Sequence, residues 1–349
     1  MEIDIRIAEE KDKEAWNKVV ENSPHATIFH RWEWLKIVEK HTGYKLYPLL
    51  GHEENNVLAA FPVFYKKMVF LRSVFSPPPK TAMPYLGPVF SEYNELKQGK
   101  KESRFFELHE KFESFMKSKV RPHYINILLP PGILETRPFL WSGYQVEPNY
   151  NYTIDLLKGE EEIFKSFKKN LRQTINATER KGVVIEKGGK DELLVLYDLL
   201  SDNYKDQKKK LPISREYVLD IYDAFFPEYM NIFIAKYEGA ILGGMVDLHY
   251  KEKIYSWIGN TKNRVNDLDI NDLIQWKAIQ LGCREGFKTY EIIGANTQRL
   301  SFFKTKFNPE LSVYFSATKY SSELVKIPKN AYTRFYKPLE AKIPSLKIS

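Results

Sequence analysis

Cysteine is almost absent from this sequence, since Cys283 is the single one among 349 residues. One cysteine excludes any intrachain disulfide, and the histidines show no metal-ligand spacing, so we expect neither a disulfide framework nor a metal site. Cys283 lies inside a helical pattern without the activated surroundings of a catalytic thiol. We therefore expect a packed free thiol in a reducing compartment.

The sequence also lacks the short motifs of several enzyme classes. It has no Walker A loop, no GxGxxG after a strand and no GxSxG elbow. These absences argue against phosphate-loop, dinucleotide and serine-hydrolase chemistry, and no tightly bound cofactor is expected. No apolar run approaches the length of a membrane span, and the amino terminus MEIDIRIAEE is not a signal peptide, so we expect a cytoplasmic protein.

The remaining composition is typical of a globular protein that is rich in aromatic residues. Hydrophobic residues make up 43% and charged residues 28% of the chain, and its length favours two domains. The net charge of +8 permits a polyanionic partner, either tRNA or an anionic membrane surface, without requiring one. Nothing in the sequence indicates an oligomeric state.

One continuous pattern of strands and helices runs from Ile232 to Lys319. Two β-rich runs, IFIAKYEG and AILGGMVDLHY, meet at Glu238-Gly239, where glycine permits a tight hairpin turn. A third run, IYSWIGN, precedes the helical pattern DINDLIQWKAIQLGCREG, with Asp269 as its expected N-cap, and the strand KTYEIIG follows. A helix between two strands predicts a right-handed β-α-β unit, which binds ligands at the carboxyl ends of its strands.

Those strand ends carry asparagine close after glycine. Asn260 follows Gly259, and Asn296 follows Gly294 by two positions. Asparagine here serves either the turn itself or the orientation of a ligand, and the sequence leaves both open.

Five of these features together resemble the FemAB-like branch of the GNAT acyltransferase superfamily. They are the hairpin, the strand with Trp257, the helix after a polar loop, the IIGAN strand end and the FFKTKF block. In that branch a Phe-Lys pair followed shortly by another Phe recurs near the end of the second acyltransferase-like half, and the lysine contributes to the active site. The matching positions here are Phe303, Lys304 and Phe307.

The resemblance implies an α/β fold with mixed α+β sheets, built as a tandem duplication of two GNAT-like domains. The segments RPFLWSGY and RLSFFKTKF share an aromatic rhythm, and the order of elements repeats between the two halves. We predict a first domain at 1–156, a second at 157–319 and a basic C-terminal tail at 320–349. The first copy has no lysine at the place of Lys304, so the second is expected to be catalytic.

In the first half, two aromatic residues fall in segments that resemble ligand-contacting parts of the family. Trp34 lies in the helical stretch IFHRWEWLKIVEK, for which core packing is the alternative. Tyr85 lies in MPYLGPVFS, which resembles the segment bordering the acceptor site and by itself indicates only a turn.

Two further features concern the acyl donor. Arg172 lies on a basic amphipathic helix and is our candidate for a phosphate contact, with a solvated surface as the alternative. The loop TKNRVNDLDIND has no glycine, whereas GNAT proteins cradle the CoA pyrophosphate on a glycine-containing loop there. Acyl-CoA and aminoacyl-tRNA therefore both remain candidate donors.

The resemblance implies transfer of an acyl or aminoacyl group to an amine of a cell-envelope sugar, peptide or lipid intermediate. We expect Lys304 to stabilise charge near the transferred group and Asp247, in the otherwise apolar strand GGMVDLHY, to take the amine proton. Trp257, Phe303, Asn260 and Asn296 are expected to bind substrate, and replacement of Lys306 is expected to be nearly silent. A non-catalytic module that binds tRNA or anionic lipid is the alternative.

Overall fold

A computed structural model describes residues 2–54, 56–68, 71–261, 268–296 and 298–322, without the side chains of Asn260, Thr261 and Arg299. The predicted tail therefore lies outside the described residues beyond Ser322. The chain divides into two compact units. Among the described residues, unit 1 contains those up to Pro148 and those from Tyr314 to Ser322, and unit 2 lies within Asn149–Val313.

The strands are β1 (Asp4–Ile7), β2 (Lys45–Glu53), β3 (Asn56–Met68), β4 (Leu71–Ser76), β5 (Val89–Phe90), β6 (Tyr124–Leu128), β7 (Gln145–Asp155), β8 (Val184–Lys187), β9 (Met230–Tyr237), β10 (Ala240–Tyr250), β11 (Lys253–Thr261), β12 (Thr289–Ile292) and β13 (Glu310–Tyr320). The α-helices are α1 (Lys13–Asn22), α2 (Trp32–Thr42), α3 (Gln98–Phe115), α4 (Arg137–Trp141), α5 (Gly159–Ser166), α6 (Lys169–Arg180), α7 (Lys190–Asp206), α8 (Arg215–Phe225), α9 (Ile270–Arg284) and α10 (Gln298–Lys304).

Unit 1 has a mixed sheet with the strand order β1-β2-β3-β4-β6-β13, and β5 pairs with β3. The pair β4–β6 is parallel, whereas β6 and β13 pair antiparallel through Tyr124–Leu128 and Ser316–Tyr320. Helix α3 packs its Phe105, Leu108 and Phe112 into the core of this unit.

Unit 2 has the strand order β7-β12-β11-β10-β9-β8. Neighbouring strands from β8 to β11 are antiparallel, β11 and β12 are parallel, and β12 pairs antiparallel with Tyr152–Asp155 of β7. Helix α9 forms because Ile270, Leu273, Ile274 and Ala278 recur at helical spacing, and all four are buried against the sheet. Asp269 occupies the N-cap position but makes no side-chain capping bond, contrary to the expectation.

The two parallel strands of unit 2 separate towards their carboxyl ends. Their pairing extends from Lys253–Thr289 to Ser256–Ile292. Strand β11 then continues to Thr261 in register with β10. Asn260 and Asn296, the asparagines at the strand ends, therefore follow the last β11–β12 residue pair in the sequence.

The predicted fold class, α/β with mixed sheets, is confirmed. Apart from the two-residue strand β5, the element orders β2-β3-β4-α3-β6-α4-β7 and β9-β10-β11-α9-β12-α10-β13 are the same, and each contains one parallel pair. The boundaries proposed for the duplicated domains, 1–156 and 157–319, stay a prediction about the sequence repeat.

Candidate active site

Lys304, the last residue of α10, is held at the end of β12. Its ammonium donates one hydrogen bond to the Ile293 carbonyl oxygen and another to the Gly294 carbonyl oxygen, at 2.6 Å. Lysine has three N–H donors, so one donor remains for a further acceptor. The side chain as a whole is only partly buried.

Gly294 provides the backbone turn that aims these two carbonyls at the ammonium. Its φ is +88°, in the left-handed region that side chains disfavour. A Cβ at this position would lie 3.5 Å from Lys304 Nζ, which is ordinary contact, so conformation more than space favours glycine here.

Burial lowers the pKa of Lys304 to about 8. Desolvation disfavours the charged form of a lysine, whereas the two carbonyl acceptors are suited to the ammonium. The side chain is therefore mainly protonated at neutral pH and titrates within the range in which enzymes are assayed.

The Gly294 peptide is itself fixed from the opposite strand. Its N–H donates to Asn151 Oδ1 at 2.7 Å, and Asn151 Nδ2 donates to Glu291 Oε1, also at 2.7 Å. Asn151 and Glu291 are both buried, with exposures of 0% and 2%. Sequence reasoning missed both residues.

Two further contacts hold the segment after β12 against β7. Asn296 Oδ1 accepts a hydrogen bond from the Tyr150 N–H at 2.7 Å, and the Ala295 N–H donates to the Tyr150 carbonyl at 3.0 Å. Tyr152 and Ser301 share a hydrogen bond of 2.6 Å between their hydroxyl groups, which ties α10 to the same strand. Asn296 thus holds the segment after β12 against β7, and a substrate role for it stays a prediction.

Lys306 forms an ion pair with Asp272 in the first turn of α9. Its ammonium lies 2.5 Å from one carboxylate oxygen and 2.6 Å from the other. Asp272 is buried, and desolvation raises the pKa of its carboxyl. The expectation that replacing Lys306 would be nearly silent stays a prediction for turnover, whereas for stability the ion pair indicates a cost, because the change would leave a buried carboxylate without its cation.

Asp247 lies in the interior of unit 2 and not in solvent. Its Oδ1 accepts a hydrogen bond from the Tyr290 hydroxyl at 3.1 Å, and Gln275 Nε2 donates to the same hydroxyl at 2.6 Å. Burial raises the pKa of Asp247 well above its usual range.

Three other residues that were predicted to bind substrate or donor lie in unit 2, on β11, α10 and α6. Trp257 is buried on β11, next to the last residue paired with β12. Phe303 is partly exposed on α10, and Lys306 Nζ lies 3.9 Å from its ring centroid. The half-buried guanidinium of Arg172 on α6 makes no side-chain hydrogen bond or ion pair with the described residues. The Asn260 side chain lies outside the described part of the chain.

The two predicted residues of unit 1 are core residues of that unit. Trp34 is fully buried, and its ring contacts Phe29 edge to face at 4.9 Å. Tyr85 is buried against Tyr314, with ring centroids 5.5 Å apart. Core packing, the alternative stated for Trp34, is the arrangement observed, and a substrate role for either residue stays a prediction.

Metal and thiol chemistry find no support among the described residues. No group of three or more His, Cys, Asp and Glu side chains in that part of the chain could hold a metal ion. Burial raises the pKa of the Cys283 thiol to about 11, so the reactive thiolate is scarce at neutral pH. No described helix is both long and apolar enough to cross a membrane.

The sequence of residues 165–304 matches the family model of the Acetyltransferase (GNAT) domain. The match begins within α5 and ends at Lys304. No curated protein matches the chain.

Solved structures match nearly the whole chain at low identity. FemX has a TM-score of 0.68 and 14% identity, over 89% of this chain and 96% of FemX. A protein named as the C-terminal domain of a lysylphosphatidylglycerol synthetase from Agrobacterium fabrum has a TM-score of 0.57 and 14% identity, over 93% of this chain and 96% of its own. A tandem GNAT protein from the clavulanic acid biosynthesis pathway has a TM-score of 0.54 and 8% identity, over 92% of this chain and 99% of its own.

The chain therefore has a FemAB-like tandem GNAT fold with an acetyltransferase (GNAT) domain in its second half, and it is an acyltransferase.

Proposed function

We propose that this acyltransferase transfers an aminoacyl group from aminoacyl-tRNA to an amine of a cell-envelope intermediate in the cytoplasm. The observation that carries the proposal is the Lys304 ammonium, fixed by two backbone carbonyls where β11 and β12 have separated. Its third N–H is the donor that we assign to the carbonyl oxygen of the transferred group.

The reaction requires a fixed, positively charged hydrogen-bond donor at the carbonyl oxygen of the transferred group. The acceptor amine attacks the ester carbonyl of the donor, the new C–N bond forms, and the carbonyl oxygen becomes negative. Collapse of this intermediate breaks the bond to the ribose oxygen of the tRNA, which takes up the proton that the amine releases. A fixed donor at such an oxygen typically contributes about 3 to 4 kcal/mol, or roughly a hundred- to a thousandfold in rate.

Asp247 has no part in this proton transfer as we propose it. Its carboxyl is buried and accepts a hydrogen bond from Tyr290, and burial raises its pKa well above the usual range, which disfavours the ionised form that a base requires. The expectation that Asp247 is the general base therefore does not enter the proposed mechanism.

The start of α9 favours aminoacyl-tRNA over acyl-CoA. A helix N-terminus attracts a pyrophosphate when its first turn is free of negative charge. Here the first turn carries the buried Asp272, and its neutralising cation, Lys306, is already paired. Because Lys306 is paired with Asp272, its ammonium is not free to bind a pyrophosphate, whereas transfer from the ester of an aminoacyl-tRNA requires no phosphate contact at this place.

Helix α10 favours an acceptor with an apolar part. Leu300, Phe302 and Phe303 are 44%, 69% and 40% exposed on the same helix as Lys304. A lipid-linked amine would cover these side chains while its amine lies at the ammonium. One structural neighbour is named for lysylphosphatidylglycerol, an aminoacylated lipid, and this supports the same acceptor class.

Turnover with defined donors tests the proposal. The purified chain is incubated with a mixed pool of labelled aminoacyl-tRNAs or with labelled acetyl-CoA, each with lipid-linked and soluble amines, and Lys304→Met serves as the matched control. We expect labelled lipid-linked product from the aminoacyl-tRNA pool and a large loss in the variant. Product from acetyl-CoA alone would contradict the donor assignment. Tight, salt-sensitive tRNA binding without any transfer would favour the non-catalytic module instead.

A further inference from the structure

We propose that Asn151, held in place by Glu291, is a positioning residue that fixes the Gly294 peptide and through it the Lys304 ammonium. The site that it serves rests on the function proposed above, whereas the positioning itself can be measured without any substrate.

Asn151 lies on β7, opposite the segment that ends β12. Its amide bridges two groups of that segment, the Gly294 N–H and the Glu291 carboxylate, at 2.7 Å each. A carboxylate only accepts hydrogen bonds and a backbone N–H only donates them, so this orientation of the amide is the one that satisfies both partners. Glu291 thus fixes which end of the Asn151 amide faces Gly294.

The Gly294 peptide transmits this constraint to Lys304. Its N–H is bound by Asn151, and the carbonyl of the same peptide group, that of Ile293, accepts from the Lys304 ammonium, as does the next carbonyl, that of Gly294, at 2.6 Å. Hydrogen bonds arranged in such a chain polarise and strengthen one another in a site shielded from water. Asn151 therefore fixes the direction of the carbonyls that hold the ammonium.

The burial of Asn151 limits the groups that can form hydrogen bonds with its amide. Asn151 has no exposed surface, so its amide could not replace these partners with bulk water. A buried side-chain amide is retained when its hydrogen bonds are made, and both of its ends are bonded here. An apolar side chain at this position would leave the Gly294 N–H without its acceptor.

The test combines a substrate-free readout with turnover in the full chain. The pH dependence of Lys304 acylation by acetic anhydride is followed by mass spectrometry for the wild type and Asn151→Leu. We expect half-maximal labelling near pH 8 in the wild type and at least one pH unit higher in the variant, because a released ammonium gains water. We also expect kcat to fall about 10- to 100-fold with little change in the acceptor KM, since a small misplacement of a reacting group is costly.

Two variants serve as controls. Leu196→Ala removes a buried side chain of α7 and should lower stability without moving either readout. The double variant Asn151→Asp/Glu291→Gln exchanges donor and acceptor between the two side chains, so an oxygen still faces the Gly294 N–H, and it should retain more activity than Asn151→Leu. If Asn151→Leu does not fold, Asn151→Ser carries the same expectation, because its short side chain cannot bridge both partners.

The outcomes separate the two proposals. Labelling and turnover in Asn151→Leu that match those of Leu196→Ala would overturn the positioning role. A labelling shift without transfer from any donor would support the positioning role and overturn the proposed function. Loss of turnover with unchanged labelling would show that Asn151 acts on something other than Lys304 and would overturn the inference.

Discussion

Lys306 and Asp272 form a two-oxygen ion pair, at 2.5 and 2.6 Å, that joins the segment after α10 to the first turn of α9. Neither side chain is largely exposed, so water screens the pair only weakly. Two lysines that are close in the sequence therefore have different partners. Lys304 binds backbone carbonyls, and Lys306 neutralises a buried carboxylate.

Lys306→Met should destabilise the fold. Removing one partner of a buried ion pair typically costs about 3 to 5 kcal/mol, because the remaining charge has no compensation. Equilibrium urea unfolding measures the loss, and the double variant Lys306→Met/Asp272→Asn should recover most of it. A single variant as stable as the wild type would show that the pair is dispensable.

Lys304→Met should lower turnover by roughly a hundred- to a thousandfold, since it removes a fixed donor and keeps the chain length of the side chain. The melting temperature should change little. Lys165→Met is the matched control, because Lys165 is an exposed lysine paired with Glu161 on α5. Equal activity in the two variants would remove Lys304 from the mechanism.

The pH dependence of kcat/KM should show whether Lys304 acts as a protonated ammonium or, in its neutral form, as a general base. If the ammonium is the active form, activity falls as pH rises through about 8, where Lys304 loses its proton. Dividing by the profile of Lys304→Arg, which stays charged, cancels the ionisation of the substrate amine. A ratio that rises through pH 8 would instead identify Lys304 as a general base.

Asp247→Asn should change how stability depends on pH. The folded-state pKa of Asp247 is raised, so its contribution is fully present below the unfolded pKa and is lost as pH rises towards the folded pKa. The variant should therefore gain stability relative to the wild type above about pH 4, by at most about 1.4 kcal/mol per pH unit.

Urea unfolding of the Asp247→Asn variant at pH 5 and pH 7.5 measures this difference. Asp269→Asn, at an exposed position before α9, is the control. A gap between variant and wild type that stays constant over this range would show that Asp247 does not hold a proton in the folded state.

Local patterns predicted the elements around the site correctly. The hairpin β9–β10, strand β11, helix α9 and strand β12 follow from periodicity and turn residues, and the parallel β11–β12 pair is confirmed. The resemblance directed attention to Lys304, which the structure places at the end of β12.

The partners of Lys304 had no such signal in the sequence. Asn151 is separated from Gly294 by 143 positions, and the run NYNYTIDL has no motif that distinguishes one of its asparagines. Trp34 presents a different difficulty. An aromatic residue on a helix gives the same sequence pattern whether it contacts a ligand or packs in the core, and Trp34 packs in the core. Long-range strand pairing determines the partners of Lys304, and burial determines the role of Trp34. Neither property can be read from the local spacing of residues.

The strand pairing also bears on how the chain is made. The sheet of unit 2 includes a pairing of Tyr152–Asp155 with Thr289–Ile292, and that of unit 1 includes a pairing of Tyr124–Leu128 with Ser316–Tyr320. During translation, the earlier strand of each pair leaves the ribosome on the order of ten seconds before its partner. Its unpaired backbone edge is a template for aggregation throughout that interval. The nascent chain should therefore depend on chaperones, and breakage before residue 289 should yield insoluble fragments instead of a folded first half.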